Sequence, residues 1–234
     1  MTFNQNLINK FLDAIFPLPK NFGITVSSYE EEANDSIIEF ETNVHAVDSE
    51  ASVRWGISKI VIISPKLKDI VIKIPFNGYY DEGYEVVHWN NFIWATGSDS
   101  KDYCLAEYEK YKKLKIYNLD CFVAKTWYYK TIDGVRVFLQ EKAISINDSC
   151  NNDNIKPSKK SQDLADKWYE EDKFGINPEW IAICLDRYGK SRVERFLYYC
   201  ENIDSDILED AHCGNYGYRA NGTPCVIDYS NFAD

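Results

Sequence analysis

Three oxygen-bearing side chains near the C-terminal end of the sequence have the types and spacing that a metal site needs. Asp210 and Asn215 bound the segment D-A-H-C-G-N, and Asp228 follows further along the chain. Between them, Asn221-Gly222 is the strongest two-residue signal for a β-hairpin, because both residue types tolerate positive φ. A hairpin here would bring both carboxylates and the carboxamide together. Oxygen ligands of this kind suit Mg²⁺, which commonly keeps several waters and bridges substrate phosphates.

Zinc is the alternative metal, because His212, Cys200, Cys213 and Cys225 lie in the same part of the chain. Structural zinc sites use short ligand spacings such as C-x₂₋₄-C, and no pair among these residues has finger-like spacing. The chain has seven cysteines, an odd number, and they are scattered without any C-x-x-C. This pattern favours reduced thiols, as in a cytoplasmic protein, over a disulfide framework.

The composition predicts a folded protein with an acidic charge balance. Of 234 residues, 45% are hydrophobic and 15% aromatic, which is enough for a substantial core. The net charge of −11 disfavours direct contact with nucleic acids and anionic membranes, because both are polyanions. The sequence has no run of about 18 apolar residues and no secretory signal pattern, so we expect no membrane span and a cytoplasmic location.

Hydrophobic periodicity predicts the elements that position the candidate residues. Residues 4–16 show helical spacing that ends at Pro17 and Pro19, and residues 22–44 resemble extended segments around an acidic turn. We expect an antiparallel sheet with strands at 58–63, 69–75, 121–129 and 134–141. A helix at 102–115 should pack on this sheet. Further along the chain, we expect helical structure at 178–201 and the terminal hairpin at 216–228.

A polar segment at 145–162 divides a mostly β half from a mostly helical half. It is rich in Asn, Asp, Ser and Lys and has few apolar residues that could offset the cost of ordering the backbone. We therefore expect residues 147–160 to be mobile and sensitive to proteases. The predicted organisation is an N-terminal extension (1–45), an N-lobe (46–144), a flexible linker (145–162) and a reduced C-lobe that carries the hairpin (163–234).

With these motifs in order, the sequence resembles the protein-kinase-like superfamily. The closest resemblance is to the aminoglycoside and choline kinase branch and to the short kinase-like proteins of bacteriophages. That branch carries a D-x-H-x-G-N catalytic loop, then a hairpin, then an Asp in place of the D-F-G motif. Asp210 to Asn215 match the loop, and Asp228 matches the final Asp.

The N-terminal half matches further motifs of that superfamily, in the same order. V-I-K-I-P resembles the strand whose lysine binds phosphate, and a Lys within a buried Ile/Val run needs a charged partner. A-E-Y-E-K-Y resembles the helix whose Glu pairs with that lysine. The implied nucleotide-binding residues are Lys73, its partner Glu107 (with Glu109 as the alternative), Gly56, Ser58 and Lys59 in the place of the phosphate-covering loop, and the main chain of Glu141 and Ala143 at the adenine hinge.

The resemblance implies an α+β, two-lobed kinase-like fold and a catalytic set of Asp210, Asn215, Asp228 and Lys73 that uses ATP and Mg²⁺. Phosphoryl transfer depends mostly on positioning and charge neutralisation. In this scheme Asp210 orients the attacking hydroxyl, while Asn215 and Asp228 hold Mg²⁺. Lys73 neutralises the α- and β-phosphates of the nucleotide. His212 supports Asp228 or its backbone and does not act as a base.

The sequence also departs from the kinase pattern. Gly56 is the one glycine where a G-x-G-x-x-G loop would stand, so nucleotide binding should be weaker than in kinases that have the full motif. Glu209 stands before the catalytic Asp where protein kinases have an Arg. The chain ends shortly after Asp228, so we expect none of the activation segment, A-P-E motif or later helices that dock a peptide. The N-terminal helix or the aromatic loop at 79–94 is an alternative docking surface.

Three functions therefore remain open from the sequence. The first is a minimal ATP-dependent kinase that phosphorylates a hydroxyl of a protein or a small molecule, in the host cytoplasm if the protein is phage-encoded. The second is a kinase-like scaffold that binds nucleotide or a host protein without chemistry. The third is an acidic inhibitor that mimics nucleic acid, suggested by the net charge and by the segment S-Y-E-E-E-A-N-D-S. The full Lys, Glu, Asp, Asn and Asp set favours the first.

Overall fold

The architecture of the chain is taken from a computed structural model. It describes residues 3–18, 24–26, 31–33, 35–55, 59–75, 77–80, 86–89, 102–146, 155–171, 175–209 and 214–229. In this part of the chain the protein mixes α-helices with antiparallel sheets. It divides into two compact units, one made of residues 1–108 and 126–141 and the other of residues 109–125 and 142–234.

The first unit is built on an antiparallel five-stranded sheet of order β3-β4-β5-β9-β8. These strands are β3 (Ser52–Trp55), β4 (Lys59–Ile63), β5 (Ile70–Pro75), β8 (Thr126–Ile132) and β9 (Val135–Glu141). Three of the predicted strands are confirmed to within one residue at each end, as β4, β5 and β9. The strand predicted at 121–129 is only partly correct, because residues 120–122 form a 3₁₀ helix and β8 begins at Thr126. Strand β3 adds an edge to the sheet. A smaller antiparallel sheet joins β1 (Ile24–Val26), β2 (Glu31–Ala33), β6 (Asn77–Tyr80) and β7 (Val86–Trp89) in the order β2-β1-β7-β6.

One face of the five-stranded sheet is apolar and builds the core of the first unit. Its residues alternate along the strands, as expected for a period of two, and include Ile60, Ile62, Ile72, Ile74 and Leu139. The same core contains buried residues of α1 (Gln5–Ile15) and α2 (Asp35–Val47). The polar residues Lys59, Lys73 and Gln140 take the alternate positions, so they share the opposite face.

The predicted N-terminal helix is confirmed as α1, but the prediction of extended structure over residues 22–44 is only partly correct. The short strands β1 and β2 are antiparallel, whereas residues 35–47 form helix α2. Ile37, Phe40 and Val44 of α2 are buried and recur at three- and four-residue spacing. This spacing is the usual pattern of an amphipathic helix, and packing on the core favours it.

The second unit is mostly helical. Helix α3 (Tyr103–Ile116) begins in the first unit and ends in the second, and the others are α4 (Lys159–Glu170), α5 (Pro178–Tyr188), α6 (Lys190–Asn202) and the short α7 (Asp206–Glu209). The prediction of a helix at 102–115 and of helical structure at 178–201 is thus confirmed. Trp180, Phe122 and Phe196 lie in the core, and the last two rings stack with centroids 4.2 Å apart.

A three-stranded antiparallel sheet completes the second unit. It joins β10 (Ala143–Ser145), β11 (Tyr216–Arg219) and β12 (Pro224–Val226) in that order. The last two strands are the predicted C-terminal hairpin. Gly217 of β11 lies so close to β10 that a Cβ atom at this position would stand 1.9 Å from the carbonyl oxygen of Ile144. The pairing of β10 with β11 therefore requires glycine at this position.

The polar segment predicted as a linker is shorter than expected. Ser145 still belongs to β10, and α4 begins at Lys159, so the outer residues of 145–162 have regular structure. Ser158 caps α4 by accepting a hydrogen bond from the backbone N–H of Ser161, and its own hydroxyl donates to Asp186 at 2.7 Å. These contacts stabilise the start of the helix. Residues 147–154, the centre of the predicted mobile segment, lie outside the described residues.

The unit boundaries also differ from the predicted domain boundaries. Residues 1–45 were expected to form a separate extension, but Ile8 of α1 and Phe40 of α2 belong to the same buried core as Ile72. Residues 109–125 were expected in the N-lobe but cluster with the second unit. In both places the physical reason is hydrophobic packing, which links segments that are distant in sequence.

Candidate functional site

The ion pair predicted between Lys73 and Glu107 is present in the first unit. The ammonium nitrogen of Lys73 lies 2.9 Å from Oε2 and 3.1 Å from Oε1 of Glu107. Lys73 comes from β5 and Glu107 from α3, so the pair joins the polar face of the sheet to the helix. Both side chains are buried, with exposed fractions of 3% and 0%.

Lys59 is a second lysine on the same carboxylate. Its ammonium nitrogen lies 2.7 Å from Oε1 of Glu107, and the residue is buried. The resemblance to kinases placed Lys59 in a loop that covers phosphates, whereas the structure places it at the first position of β4. Gly56 and Ser58, the other two residues expected in that loop, lie outside the described residues.

Gln140 and Thr126 extend this arrangement along the sheet. The side-chain amide of Gln140 donates to Oε2 of Glu107 at 3.3 Å and to Oγ1 of Thr126 at 3.2 Å. Gln140 and Thr126 are both fully buried and lie opposite each other in β9 and β8. We call Lys59, Lys73, Glu107, Thr126 and Gln140 the Glu107 cluster.

The Glu107 cluster concentrates charge in a buried place. Removing an ammonium and a carboxylate from water costs several kcal/mol each, and only close pairing with good hydrogen bonds offsets that cost. Glu107 meets this condition through the two lysines and the amide of Gln140. Oε1 of Gln140 is one of two buried side-chain polar atoms without a hydrogen-bond partner among the described residues. Such an acceptor is unusual in a folded protein.

Two neighbours of Glu107 on α3, Glu109 and Cys104, are not members of the Glu107 cluster. Glu109, the alternative partner for Lys73, is exposed. Cys104 lies one turn before Glu107 and is fully buried. Burial raises the pKa of the Cys104 thiol well above its ordinary value, so the thiol stays protonated and is a poor nucleophile.

The two residues expected at the adenine hinge belong to strands. Glu141 ends β9 and lies opposite Ile70 of β5, while Ala143 begins β10 and lies opposite Arg219 of β11. Neither residue is fully buried. Lys142 is the single residue between these two strands.

The terminal hairpin brings Asn215 and Asp228 together in the second unit. The carbonyl oxygen of Asn215 accepts hydrogen bonds from the backbone N–H groups of Ile227 at 2.6 Å and Asp228 at 3.2 Å. The hairpin turn depends on Gly222, which has φ near +73°. Asn221 instead keeps a negative φ, and its side chain accepts a hydrogen bond from the backbone N–H of Thr223. The backbones of residues 215 and 228 are therefore adjacent, and the convergence of their side chains on one metal ion stays a prediction.

The hairpin is anchored by contacts that the sequence did not reveal. Arg219 donates to the carbonyl oxygens of Cys121 at 3.2 Å and Val123 at 2.8 Å. The hydroxyl group of Tyr229 donates to the carbonyl oxygen of Ala124 at 2.7 Å. These hydrogen bonds fix both ends of the hairpin to the segment that follows α3, and with them the positions of Asn215 and Asp228.

The oxygen donors of Asn215 and Asp228 fit a magnesium ion, because Mg²⁺ prefers carboxylate and amide oxygens and often takes only one or two protein ligands. Asp210 and His212, the remaining residues of this predicted site, lie outside the described residues. Within the described part of the chain, no group of three or more His, Cys, Asp or Glu side chains is arranged for metal binding. The five described cysteines are free thiols.

Comparisons with known proteins add no relative. No protein-family model matches the chain, and no curated protein sequence matches it. In the described residues, no helix has both the length and the apolar character needed to cross a bilayer.

Proposed function

We propose that this chain is a minimal ATP- and Mg²⁺-dependent phosphotransferase of the protein-kinase-like superfamily. It transfers a phosphoryl group to a hydroxyl group of a protein or a small molecule. The observation that carries the proposal is the buried ion pair between Lys73 of β5 and Glu107 of α3. Its fold in this proposal is that of the superfamily, with a kinase-like N-lobe and a reduced helical C-lobe.

Lys73 is the residue that neutralises the α- and β-phosphates of the nucleotide. A lysine does this best when its long side chain is held in place, because an ammonium group is otherwise a flexible point charge. Contacts to both carboxylate oxygens of Glu107 hold Lys73. The strand and helix that carry the pair fit the roles that the superfamily assigns to them.

Asn215 and Asp228 are the residues that hold Mg²⁺. When bound, this ion neutralises charge on the β- and γ-phosphates. The backbone hydrogen bond between the two residues, 3.2 Å long, supports this role because it brings their backbones together. Asp210 orients the acceptor hydroxyl, and the main-chain groups of Glu141 and Ala143 bind adenine.

We also propose a cellular location for this protein. We place it in a cytoplasm, that of the host if a bacteriophage encodes it. The scattered cysteines and the acidic charge balance are consistent with this setting.

Calorimetry with ATP and Mg²⁺ tests the proposal directly. The native protein should bind ATP·Mg²⁺, and Lys73→Met should bind it about 10- to 100-fold more weakly, because a charge-assisted hydrogen bond contributes about 1.5–3 kcal/mol. Lys68→Met is the matched control, since Lys68 is exposed in the turn between β4 and β5. Absence of ATP binding by the native protein would contradict the proposal.

Turnover separates the kinase from the alternative of an inactive scaffold. Incubation with labelled ATP should yield autophosphorylation or ATP hydrolysis above the level of the Asp228→Asn variant. Binding of ATP with turnover equal in both proteins would favour a nucleotide-binding scaffold. Binding of a basic partner without any nucleotide binding would favour the acidic inhibitor.

A further inference from the structure

The Glu107 cluster contains two lysines, whereas the proposed function needs only one. Both ammonium groups contact Oε1 of Glu107, Lys59 at 2.7 Å and Lys73 at 3.1 Å. Two positive charges that share one oxygen atom lie close together and repel each other. A buried arrangement of this kind is costly, so it calls for a physical explanation.

The sheet register explains how the two lysines meet. Lys73 of β5 lies opposite Val61, and Lys59 lies opposite Pro75, two positions further along β5. Side chains two positions apart lie on the same face, and diagonal neighbours on paired strands are within reach of long side chains. Lys59 and Lys73 therefore point to the same side of the sheet, where Glu107 accepts from both.

An anionic ligand accounts for the second lysine. Polyphosphate carries several negative charges spread over a chain, so it can contact two ammonium groups that stand side by side. Each lysine can turn towards a phosphate while the other keeps its contact with Glu107. The carboxylate thus positions both lysines and is never left buried without a cation.

We propose that Lys59 is a second phosphate-binding lysine and that Lys59 and Lys73 bind the polyphosphate of the nucleotide together, with Glu107 as their shared positioning residue. This inference rests on the proposed function, because it assigns the ligand of the same site. The sequence predicted one lysine, Lys73, paired with one glutamate, whereas here two lysines share Glu107.

The single lysine variants should remain folded, which makes the inference testable. In Lys59→Met, Glu107 keeps Lys73, and in Lys73→Met it keeps Lys59. Methionine has a similar length and suits a buried position. Circular dichroism and thermal unfolding of both variants provide the check on folding. Lys59→Arg retains the positive charge and serves as the rescue variant.

The experiment measures binding of tripolyphosphate and of adenosine by calorimetry. Tripolyphosphate reports on the charged contacts, and adenosine reports on recognition of the base and sugar. We expect Lys59→Met and Lys73→Met each to bind tripolyphosphate about 10- to 100-fold more weakly than the native protein, and to bind adenosine unchanged. Lys59→Arg should recover most of the loss, and the exposed control Lys68→Met should bind like the native protein.

The outcomes distinguish this inference from the proposed function. If Lys59→Met binds tripolyphosphate as tightly as the native protein while Lys73→Met does not, Lys59 has only a structural role and the inference is wrong. If Lys59→Met loses adenosine and tripolyphosphate equally, the effect is general damage to the site and the inference is also wrong. If the native protein binds neither ATP nor tripolyphosphate, the proposed function itself fails.

Discussion

The side-chain amide of Gln140 donates a hydrogen bond to the carboxylate of Glu107 at 3.3 Å. This contact joins β9 to α3 beside the two lysines. Gln140 is fully buried, and Oε1 of the same amide has no hydrogen-bond partner among the residues that the structure describes. The donor end of the amide faces the carboxylate because a carboxylate accepts hydrogen bonds and does not donate them.

Glu107→Gln should strongly destabilise the first unit. The substitution keeps the shape but removes the charge, so Lys73 would be buried beside a neutral amide. Breaking a buried ion pair in this way typically costs about 3–5 kcal/mol. Chemical denaturation followed by circular dichroism measures the change. Glu109→Gln, two residues along the same helix at an exposed position, should change the free energy of unfolding by less than about 0.5 kcal/mol. Equal effects of the two variants would show that the ion pair contributes little.

Gly217→Ala should disrupt the three-stranded sheet. A Cβ atom at this position would stand 1.9 Å from the carbonyl oxygen of Ile144, and the backbone of β10 has to move to admit it. We expect a loss of about 1–3 kcal/mol or more, as for other overpacked sites. Gly175→Ala is the control, because a Cβ atom there meets no atom within 4 Å. A native-like melting temperature for Gly217→Ala would contradict the close pairing of β10 and β11.

The stability contributed by Asp48 should depend on pH. The hydroxyl of Ser64, at 2.5 Å, and the ammonium of Lys66, at 2.9 Å, lower the pKa of the Asp48 carboxyl below its ordinary value of 3.8. A lowered pKa in the folded state means that the contribution is fully present above the ordinary pKa. It is lost as the pH falls through the folded-state pKa.

The Asp48→Asn variant tests this dependence. Its deficit in the free energy of unfolding, relative to the native protein, should be largest near neutral pH and should shrink as the pH falls below about 4. Urea denaturation at a series of pH values measures it. Asp69→Asn, at an exposed site in the same unit, is the control. A deficit that stays constant from pH 7 to pH 3 would show that charge on Asp48 is not the cause.

Two substitutions in the C-terminal region should separate metal binding from catalysis. Asp228→Asn removes a negative charge from the proposed metal ligands, so binding of ATP·Mg²⁺ should weaken. Asp210→Asn removes the group that orients the acceptor, so nucleotide binding should persist while turnover falls by about 10²–10⁴-fold. Calorimetry and ATP turnover measure the two effects. Identical background turnover in the native protein and both variants would favour the scaffold.

Several elements could be predicted from the sequence because their signals are local. The β-rich run around Lys73 and the Asn221-Gly222 turn each depend on residues within one element. Helix α2 also carried a local signal in the spacing of Ile37, Phe40 and Val44. The acidic and β-branched residues around it led instead to a prediction of extended structure.

The end of the polar segment could not be predicted in the same way. Helix α4 begins at Lys159 because Ser158 and Ser161 bind Asp186, a residue of α5. Burial of Ala165 and Trp168 then stabilises the helix. Asp186 lies 28 residues after Ser158 and 25 after Ser161, so the local composition predicts a linker where packing produces a helix.

The sequence by itself determined the chemical types available to this protein: a lysine inside an apolar strand, a glutamate on the next helix, and an Asn and an Asp on either side of a hairpin. Charge burial requires that such a lysine be paired, and the sequence offered Glu107 or Glu109 as its partner. The structure selects Glu107. Only the tertiary structure decided that Lys59 and Gln140 share the same carboxylate. Their meeting depends on the register of β4, β5 and β9 and on the placement of α3, and register is set by packing across the whole sheet.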